Sequence, residues 1–392
     1  MKTLLASARS WALDEQGQTL EQFKQARSLP IALKAALMPD AHPGYGLPIG
    51  GVLAVKDAVI PYAVGVDIAC RMHLTVLDWP LSCLQTRKEA LIKALNQSTR
   101  FGIGAGFTRS ERCQHQIMDE NWHQHPLLAG LQNKAWEQLG TSGTGNHFVE
   151  FVELEIKEPL SGLQPGMFLA LLSHSGSRGT GAEVARHYSR LAQKMCKGLP
   201  DSLNNLAWLE LNSAAGQEYW QAMQLMGRYA AANHELIHQK VLRHLGAAAM
   251  GHFQNHHNFA WQEVVDGKTA IVHRKGATPA HRGKLGIIPG SMGTAGYVVE
   301  GKGLRQAINS CSHGAGRALS RKQAHKHFKG LDLRRHLNEL GVELISAGHD
   351  EVPGAYKDIE QVMSAQQDMV HIKARFMPRI VKMAPGRERA ED

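Results

Sequence analysis

Five short stretches of this sequence set metal-binding and phosphate-binding side chains among small residues. They are Asp67-Ile-Ala-Cys70, Asn146-His147-Phe-Val-Glu150, His174-Ser-Gly-Ser-Arg178-Gly, His256-His257-Asn258 and His313-Gly-Ala-Gly-Arg317. Together they offer a thiolate, carboxylates, several imidazoles and two guanidinium groups. A thiolate is a soft donor that can bridge two metals, and a carboxylate favours harder ions such as Mn2+. In the first stretch the i, i+3 spacing lets Asp67 and Cys70 face one point from a turn. Taken alone, that pattern fits a buried cysteine beside a solvent-facing aspartate better. Its weight comes from the wide separation of the five stretches, since metal centres are assembled from distant segments.

The other stretches carry different chemistry. His147 opens a strand on which Val149 and Phe151 share its side, so Glu150 falls on the opposite face unless the backbone bends. The preceding Gly140-Thr-Ser-Gly-Thr-Gly145 offers backbone N–H groups to an anion, or is simply a turn. His174 ends an apolar strand, and Arg178 beyond it can fork onto a phosphate. Adjacent His256 and His257 point in different directions, so at most one serves a given metal. His234 and His252 read as ordinary surface or core histidines. Pro289-Gly-Ser291-Met-Gly-Thr294 is a phosphate-suited loop without the lysine of a P-loop, so a Walker-type NTPase is not supported. His313, flanked by small residues, can act as acid, base or covalent nucleophile, although the same residues fit a plain turn.

These residues need a scaffold of strands and helices. Helices are expected at 19–37, 86–96, 131–139 and 180–196, and a long helical stretch, read as two helices, at 204–247. Strands are expected near 52–55, 72–77, 147–155, 167–172, 259–265, 269–273, 285–288 and 295–299. The C-terminal part mixes helices (317–324, 332–340, 358–364) with strands (342–346, 369–381). The Gly/Pro-rich Met38–Gly51 segment is too apolar for a linker and reads as a structured loop near a ligand. Residues 101–126 read as a loop or mobile segment. No repeat of fixed period occurs. The pattern implies one α+β domain with mixed sheets and an inserted helical segment, over residues 1–386, followed by a disordered charged tail at 387–392.

Composition narrows the class. With 392 residues, 43% apolar and 20% charged, the chain is a folded globular protein. No run of about 18 apolar residues suggests a membrane span, and the N-terminal apolar patch is too short for a signal peptide. Cys70, Cys83, Cys113, Cys196 and Cys311 are odd in number and lack a CxxC pair, which points to the reducing cytoplasm. The net charge of +9 suggests a polyanionic partner, and Arg317, Arg321, Lys322, His325, Lys326, His327 and Lys329 concentrate it beside the fifth stretch.

At this point the sequence resembles the RtcB-type RNA ligases, which are GTP- and Mn2+-dependent. The likeness runs in order through Met38–Gly51, Gly65-Val-Asp67-Ile-Ala-Cys70, Gly145–Glu150, His174–Gly179, His257-Asn258, Val272-His273-Arg274-Lys275-Gly276-Ala277, Pro289–Thr294, His313–Arg317 and Glu351-Val-Pro-Gly-Ala-Tyr356-Lys357. It implies that Cys70 bridges two Mn2+ ions, with Asp67 and His147 completing one and His174 and His257 the other, in a central metal and nucleotide cleft. It implies that His313 attacks the α-phosphorus of GTP and carries GMP. Asn146 would touch the phosphates and Glu150 the guanine nucleotide, while Ser291 and Gly314-Ala315-Gly316 line the GMP pocket. Lys382, after the last strand, would match the guanine-recognising lysine. A basic surface including Arg274, Lys275, Arg317 and Lys322, with Arg178 nearby, would hold RNA ends bearing a 3′-phosphate or 2′,3′-cyclic phosphate and a 5′-hydroxyl. The family's reaction is 3′-phosphate/5′-hydroxyl ligation (EC 6.5.1.8) in tRNA splicing or RNA repair, in some members with an archease-type activator. A monomer is the default expectation.

The sequence departs from the family pattern at Arg71, where glycine is usual, at Thr278-Pro-Ala-His-Arg282, and after Lys382. Two other readings compete: a metal-dependent phosphoesterase that does not guanylylate, and a non-catalytic RNA-binding module. The joint presence of Cys70, the three histidine ligands and His313 argues against both.

Overall fold

Strands that carry four of the five stretches belong to two sheets that meet at one residue, and the fifth follows Ser310–Ser312, which pairs with Ala277–Pro279. The computed structural model describes residues 6–14 and 17–386, so the tail at 387–392 lies outside the described residues. An eight-stranded sheet runs in the order Leu285–Ile288, Gly296–Gly301, Val370–Met383, Phe148–Ile156, Gly166–Ser175, Arg71–Leu77 and Ala249–His256, with Glu343–Ser346 parallel to Val370–Met383 off this path. It curls on itself. Asn255 on the last strand accepts a hydrogen bond at 2.8 Å from the backbone N–H of Ile287 on the first. The enclosed face is packed by alternating residues such as Met72, Leu74, Leu154, Leu172, Val298 and Phe376.

The second sheet has the order Ser7–Ser10, Ala32–His42, Ile49–Val55, Lys268–Lys275 and Asn258–Val265. His257 alone separates Ala249–His256 from Asn258–Val265, so it is the joint between the sheets. Helices Lys88–Ser98 and Arg178–Met195 pack along Ala214–Leu245, which lies against the outer face of the large sheet. No helix among the described residues is long and apolar enough to cross a membrane.

Three expectations change. The helix expected at 19–37 ends at Arg27, and Ala32–His42 is a strand. Pro30, not Pro39, stops the helix by disfavouring helical backbone at Leu29. Ala35 to Ala41 are then buried in a sheet, whose packing overrides the helix preference of alanine and leucine. Pro39 is tolerated because the pairing register breaks between Leu37 and His42. The stretch 204–247 holds one helix, Ala214–Leu245, capped by Ser213 and ended by left-handed Gly246. Residues 101–126 contain two short 3-10 turns, anchored by the fully buried Trp122, whose indole N–H donates to Ile117 O at 2.9 Å. The strand Ala249–His256 was not expected, because its exposed residues mask the alternation.

Candidate metal and nucleotide site

Four strand ends converge at one edge of the curled sheet. Arg71–Leu77 and Phe148–Ile156 begin there, while Gly166–Ser175 and Ala249–His256 end there, as the pairs Arg71↔Ser175, Arg71↔His256 and Phe148↔His174 require. Cys70, His147, His174 and His257 sit at those ends. Cys70 Sγ lies 3.0 Å from His174 Nε2 and 3.4 Å from His147 Nε2. His174 Nε2 is 3.2 Å from His257 Nε2, and His147 Nε2 is 3.1 Å from Asp67 Oδ2. The donors therefore fall into two triads, Asp67–Cys70–His147 and Cys70–His174–His257, with the thiol in both.

Electrostatics keep His174, His257 and Asp67 in ligating form. Burial, followed by the neighbouring His147, brings His174 down to about 3. Burial and then His313 hold His257 well below the usual histidine range. Burial pushes the Asp67 carboxyl up, but its hydrogen bond and charge interaction with His147 outweigh this and leave it lowered. Neutral imidazoles beside an ionised carboxylate present lone pairs, as metal binding requires. His174 Nδ1 meets Asn146 O at 3.0 Å, which orients Nε2 toward the cluster.

The Asp67–Cys70 turn is held by close packing. Ala69 takes a left-handed φ of 58°, and its N–H donates to Asn258 O at 2.7 Å. A Cβ at Gly176 would stand 2.1 Å from Asp67 Oδ1. Gly176→Ala is therefore expected to push the Asp67 carboxylate out of its triad while the fold survives. Calorimetric titration with Mn2+ should show about a 10- to 100-fold loss of affinity at one of two sites, the size typical of losing a ligand's support. Unchanged affinity at both sites would contradict this.

His313 faces the cluster across the same cavity, its ring centroid 5.0 Å from that of His257. The fully buried Asp40 carboxylate accepts from His313 Nδ1 at 2.7 Å and from the backbone N–H groups of His313 at 3.0 Å and Gly314 at 3.3 Å. Burial acts to raise the Asp40 carboxyl, yet the charge and hydrogen bond of His313 leave it lowered. An acceptor fixed on Nδ1 leaves Nε2 with the lone pair. Asp40 lies in the Gly/Pro-rich Met38–Gly51 segment, on the strand Ala32–His42 and not in a loop, and its residue type alone points to no role. The only available signal was a carboxylate set between prolines.

Gly314, Ala315, Gly316 and Arg317 line this cavity with Asn146. A Cβ at Gly316 would lie 2.1 Å from Asp40 O, so the small residues let the loop close on the Asp40 backbone. A second cavity shares Phe148, Pro289, Gly290 and Tyr356 with the first and adds Glu150, Ser291 and Met292. Glu150 opposes Val381 on the paired strand and faces this second cavity. Glu150 is 3% exposed, and burial raises its carboxyl well above the ordinary carboxylate value of 4.5.

A raised carboxyl costs stability at high pH. Below about pH 4.5 both folded and unfolded chains hold the proton, and no penalty arises. Above it the unfolded chain ionises while the folded chain does not, so stability falls as pH rises toward the folded value, at up to about 1.4 kcal/mol per pH unit. Glu150→Gln is expected to melt higher than the wild type at pH 7–8 and equally at pH 4. Melting curves that run parallel across this range would refute it.

Comparisons with known proteins show the family of this chain. The family model described as tRNA-splicing ligase RtcB matches residues 22–383. This chain belongs to the RtcB family. It is similar to the RNA-splicing ligase RtcB of Escherichia coli K12, 33% identical over 386 residues covering 90% of each chain. It is also similar to the tRNA-splicing ligase RtcB of Nanoarchaeum equitans, 33% identical over 438 residues, 93% of this chain and 91% of the other. RNA-splicing ligase RtcB homolog 1 of Entamoeba dispar is 30% identical, over 92% of this chain and 81% of its own.

Several residues expected at the site of this RtcB-family chain lie elsewhere. Arg178 is buried, with left-handed φ 58°, and donates to Thr141 Oγ1 at 3.2 Å and Gly102 O at 3.0 Å. It braces the glycine-rich loop instead of lining the cavity. Arg274 has no exposed surface and forms a fork on Glu263 at 2.6 and 3.0 Å, with further bonds to Ser310 and Ile308. Lys275 is buried against Tyr45 O at 2.5 Å, and burial brings its amine down to about 7. Neither belongs to a basic surface. Lys322, Lys326 and Lys329 are exposed on and just after the helix Arg321–His327.

Lys382 pairs with Val149, whereas Val381 and Met383 line the Glu150 cavity, so the strand's alternation turns Lys382 to the opposite face. Its ammonium caps the helix Lys88–Ser98, donating to Leu95 O at 3.0 Å, Thr99 O at 3.3 Å and Asn96 O at 3.4 Å. Arg71 also turns away from the metal cluster, toward Gln254 Oε1 at 3.1 Å and His256 Nδ1 at 2.7 Å. Its size is accommodated behind the sheet, which removes the difficulty the sequence posed.

Proposed function

We propose that this chain is a GTP-dependent RNA ligase that joins a 3′-phosphate or 2′,3′-cyclic phosphate end to a 5′-hydroxyl end through a His313–GMP intermediate. The observation that carries the reading is the pair of donor triads sharing Cys70, set beside a histidine whose Nδ1 is fixed by a buried aspartate. The donor set fits two divalent ions, manganese in this reading, with Asp67, Cys70 and His147 holding one and Cys70, His174 and His257 the other. Such ions would neutralise triphosphate charge as pyrophosphate leaves.

The chain's own residues supply the remaining steps. His313 Nε2 attacks the α-phosphorus of GTP, forming a P–N bond as the P–O bond to pyrophosphate breaks. Asp40 accepts Nδ1–H and steadies the positive charge that develops on the ring. The guanine enters the adjoining cavity, where Glu150 accepts from its N–H edge and Ser291 stands nearby. Asn146, Gly314 and Gly316 bound the space around the phosphates. A 2′,3′-cyclic end is first opened by water, which breaks the P–O2′ bond and leaves a 3′-phosphate and a 2′-hydroxyl; a 3′-phosphate oxygen then takes GMP from His313, and the 5′-hydroxyl attacks the activated 3′-phosphorus, releasing GMP. Lys322, Lys326 and Lys329 lead the RNA backbone toward Arg317 at the cavity wall, with salt-dependent affinity. The second cavity around Glu150 favours a nucleotide-using ligase over a phosphoesterase, which needs no such compartment.

The test is a joining reaction. An RNA pair ending in 3′-phosphate and 5′-hydroxyl, with Mn2+ and GTP, should give a joined product that ATP does not support. Removal of the terminal phosphate without joining would establish the phosphoesterase reading instead.

A further inference from the structure

Directly behind the Cys70 cluster, on the outer face of the sheet, three more histidines meet. His73 lies on the Arg71–Leu77 strand, opposite Ser173 of Gly166–Ser175, and His234 and His238 lie one turn apart on the helix Ala214–Leu245. All three are at least 95% buried, and one ring nitrogen of each lies within 4.8 Å of those of the other two. We propose that His73, His234 and His238 form a second metal site, separate from the Cys70 centre, that takes a divalent ion of the zinc class.

The hydrogen bonds around the trio have the form of a supporting shell. His234 Nε2 lies 3.1 Å from Ser175 O, which can only accept, so Nε2 carries the hydrogen and Nδ1 holds the lone pair. That Nδ1 points at Ser173 Oγ, 2.6 Å away, and His238 Nε2 converges on the same oxygen at 2.8 Å. His238 Nδ1 meets Thr75 Oγ1 at 2.7 Å. The Thr75 hydroxyl can donate or accept, so His238 can shift its hydrogen to Nδ1 and free Nε2, keeping the Thr75 bond and giving up the one to Ser173. His73 Nδ1 is buried and has no hydrogen-bond partner among the described residues. Metal-bound histidines characteristically give their other ring N–H to a carbonyl or hydroxyl, as His234 does here and as His238 can with its hydrogen on Nδ1. Burial holds all three rings below the ordinary histidine range, which keeps them neutral.

Three imidazoles and a neighbouring oxygen suit tetrahedral zinc. Bonds of about 2.0–2.1 Å bring donor nitrogens to within about 3.4 Å of each other, so binding draws the rings inward. Ser173 or a water supplies the fourth position. Exposed His252, whose ring centroid is 5.7 Å from that of His73, marks the route from solvent. The ion would pin the long helix to the strands whose ends carry Cys70 and His174.

The test uses the full chain carrying Cys70→Ala, which removes the thiolate from the catalytic cluster. After stripping with chelator, the protein is given Zn2+, desalted and assayed for bound zinc and melting temperature. One zinc per chain and a rise of several degrees are expected. Adding His73→Phe, which breaks no hydrogen bond, should abolish both, and His234→Gln should do the same. Substituted Co2+ should show weak visible bands without sulfur charge transfer. Zinc retention or stabilisation that survives His73→Phe would overturn the proposal, as would a Cys70→Ala protein that retains no zinc. A metal-free melting temperature unchanged by His73→Phe separates lost binding from lost folding.

Discussion

Replacing Cys70 with alanine is expected to empty both halves of the catalytic centre at once and to abolish RNA joining. The reason is geometric. Cys70 is the one donor common to the two triads, 3.0 Å from His174 and 3.4 Å from His147. Without it, one half is left with Asp67 and His147 and the other with His174 and His257, two donors each. Metal ions at such a site contribute several kcal/mol of charge stabilisation, and each 1.36 kcal/mol is tenfold in rate, so joining should fall by at least about 10^3-fold. Calorimetric titration with Mn2+ should lose both binding events together, unlike Gly176→Ala, which disturbs one. A Cys70→Ala enzyme that kept one tight site and most of its activity would refute the bridging assignment.

Asp40→Asn should cripple the first chemical step without disturbing metal binding. The carboxylate fixes His313 Nδ1–H at 2.7 Å and also holds the backbone N–H groups of His313 and Gly314. An asparagine amide is uncharged, so it stabilises the developing imidazolium less. Turned the other way, it donates to Nδ1 and shifts the ring hydrogen to Nε2, the attacking atom. Formation of the protein–GMP adduct should slow by about 10^2- to 10^4-fold, the range associated with positioned acid–base groups. Mn2+ affinity should stay near wild type, since Asp40 belongs to neither triad. Wild-type adduct formation by this variant would show that Asp40 only packs against the loop.

The site was legible in the sequence where chemistry depends on residue type. A cysteine, an aspartate and histidines in glycine-bounded segments are rare enough to be noticed, and strand ends brought Asp67, Cys70, His147, His174 and His257 together. Side-chain direction was not legible. Lys382 differs from Met383 by one position, and the two-residue period of a strand sends one to a helix end and the other to a cavity. Arg274 and Arg178 look like phosphate hooks as letters, but partners distant in sequence, Ile308 and Gly102 among them, help hold them inside. Asp40 went unassigned for the same reason. Its contact with His313 spans 273 positions. The segment Ala32–His42 shows the limit for the fold. Alanine and leucine favour a helix locally, and only pairing with Ile49–Val55 makes them a strand. His234, read as an ordinary histidine, acquired partners only when the long helix was laid against the sheet.

The most direct measurement is covalent labelling. The protein is incubated with α-phosphate-labelled GTP and Mn2+, denatured, and examined for an acid-labile adduct. The account predicts label on the wild-type protein, none on His313→Ala, and release of label as GMP when RNA with a 3′-phosphate and a 5′-hydroxyl is added. Label retained by His313→Ala, or no label on the wild type with any divalent metal, would contradict it.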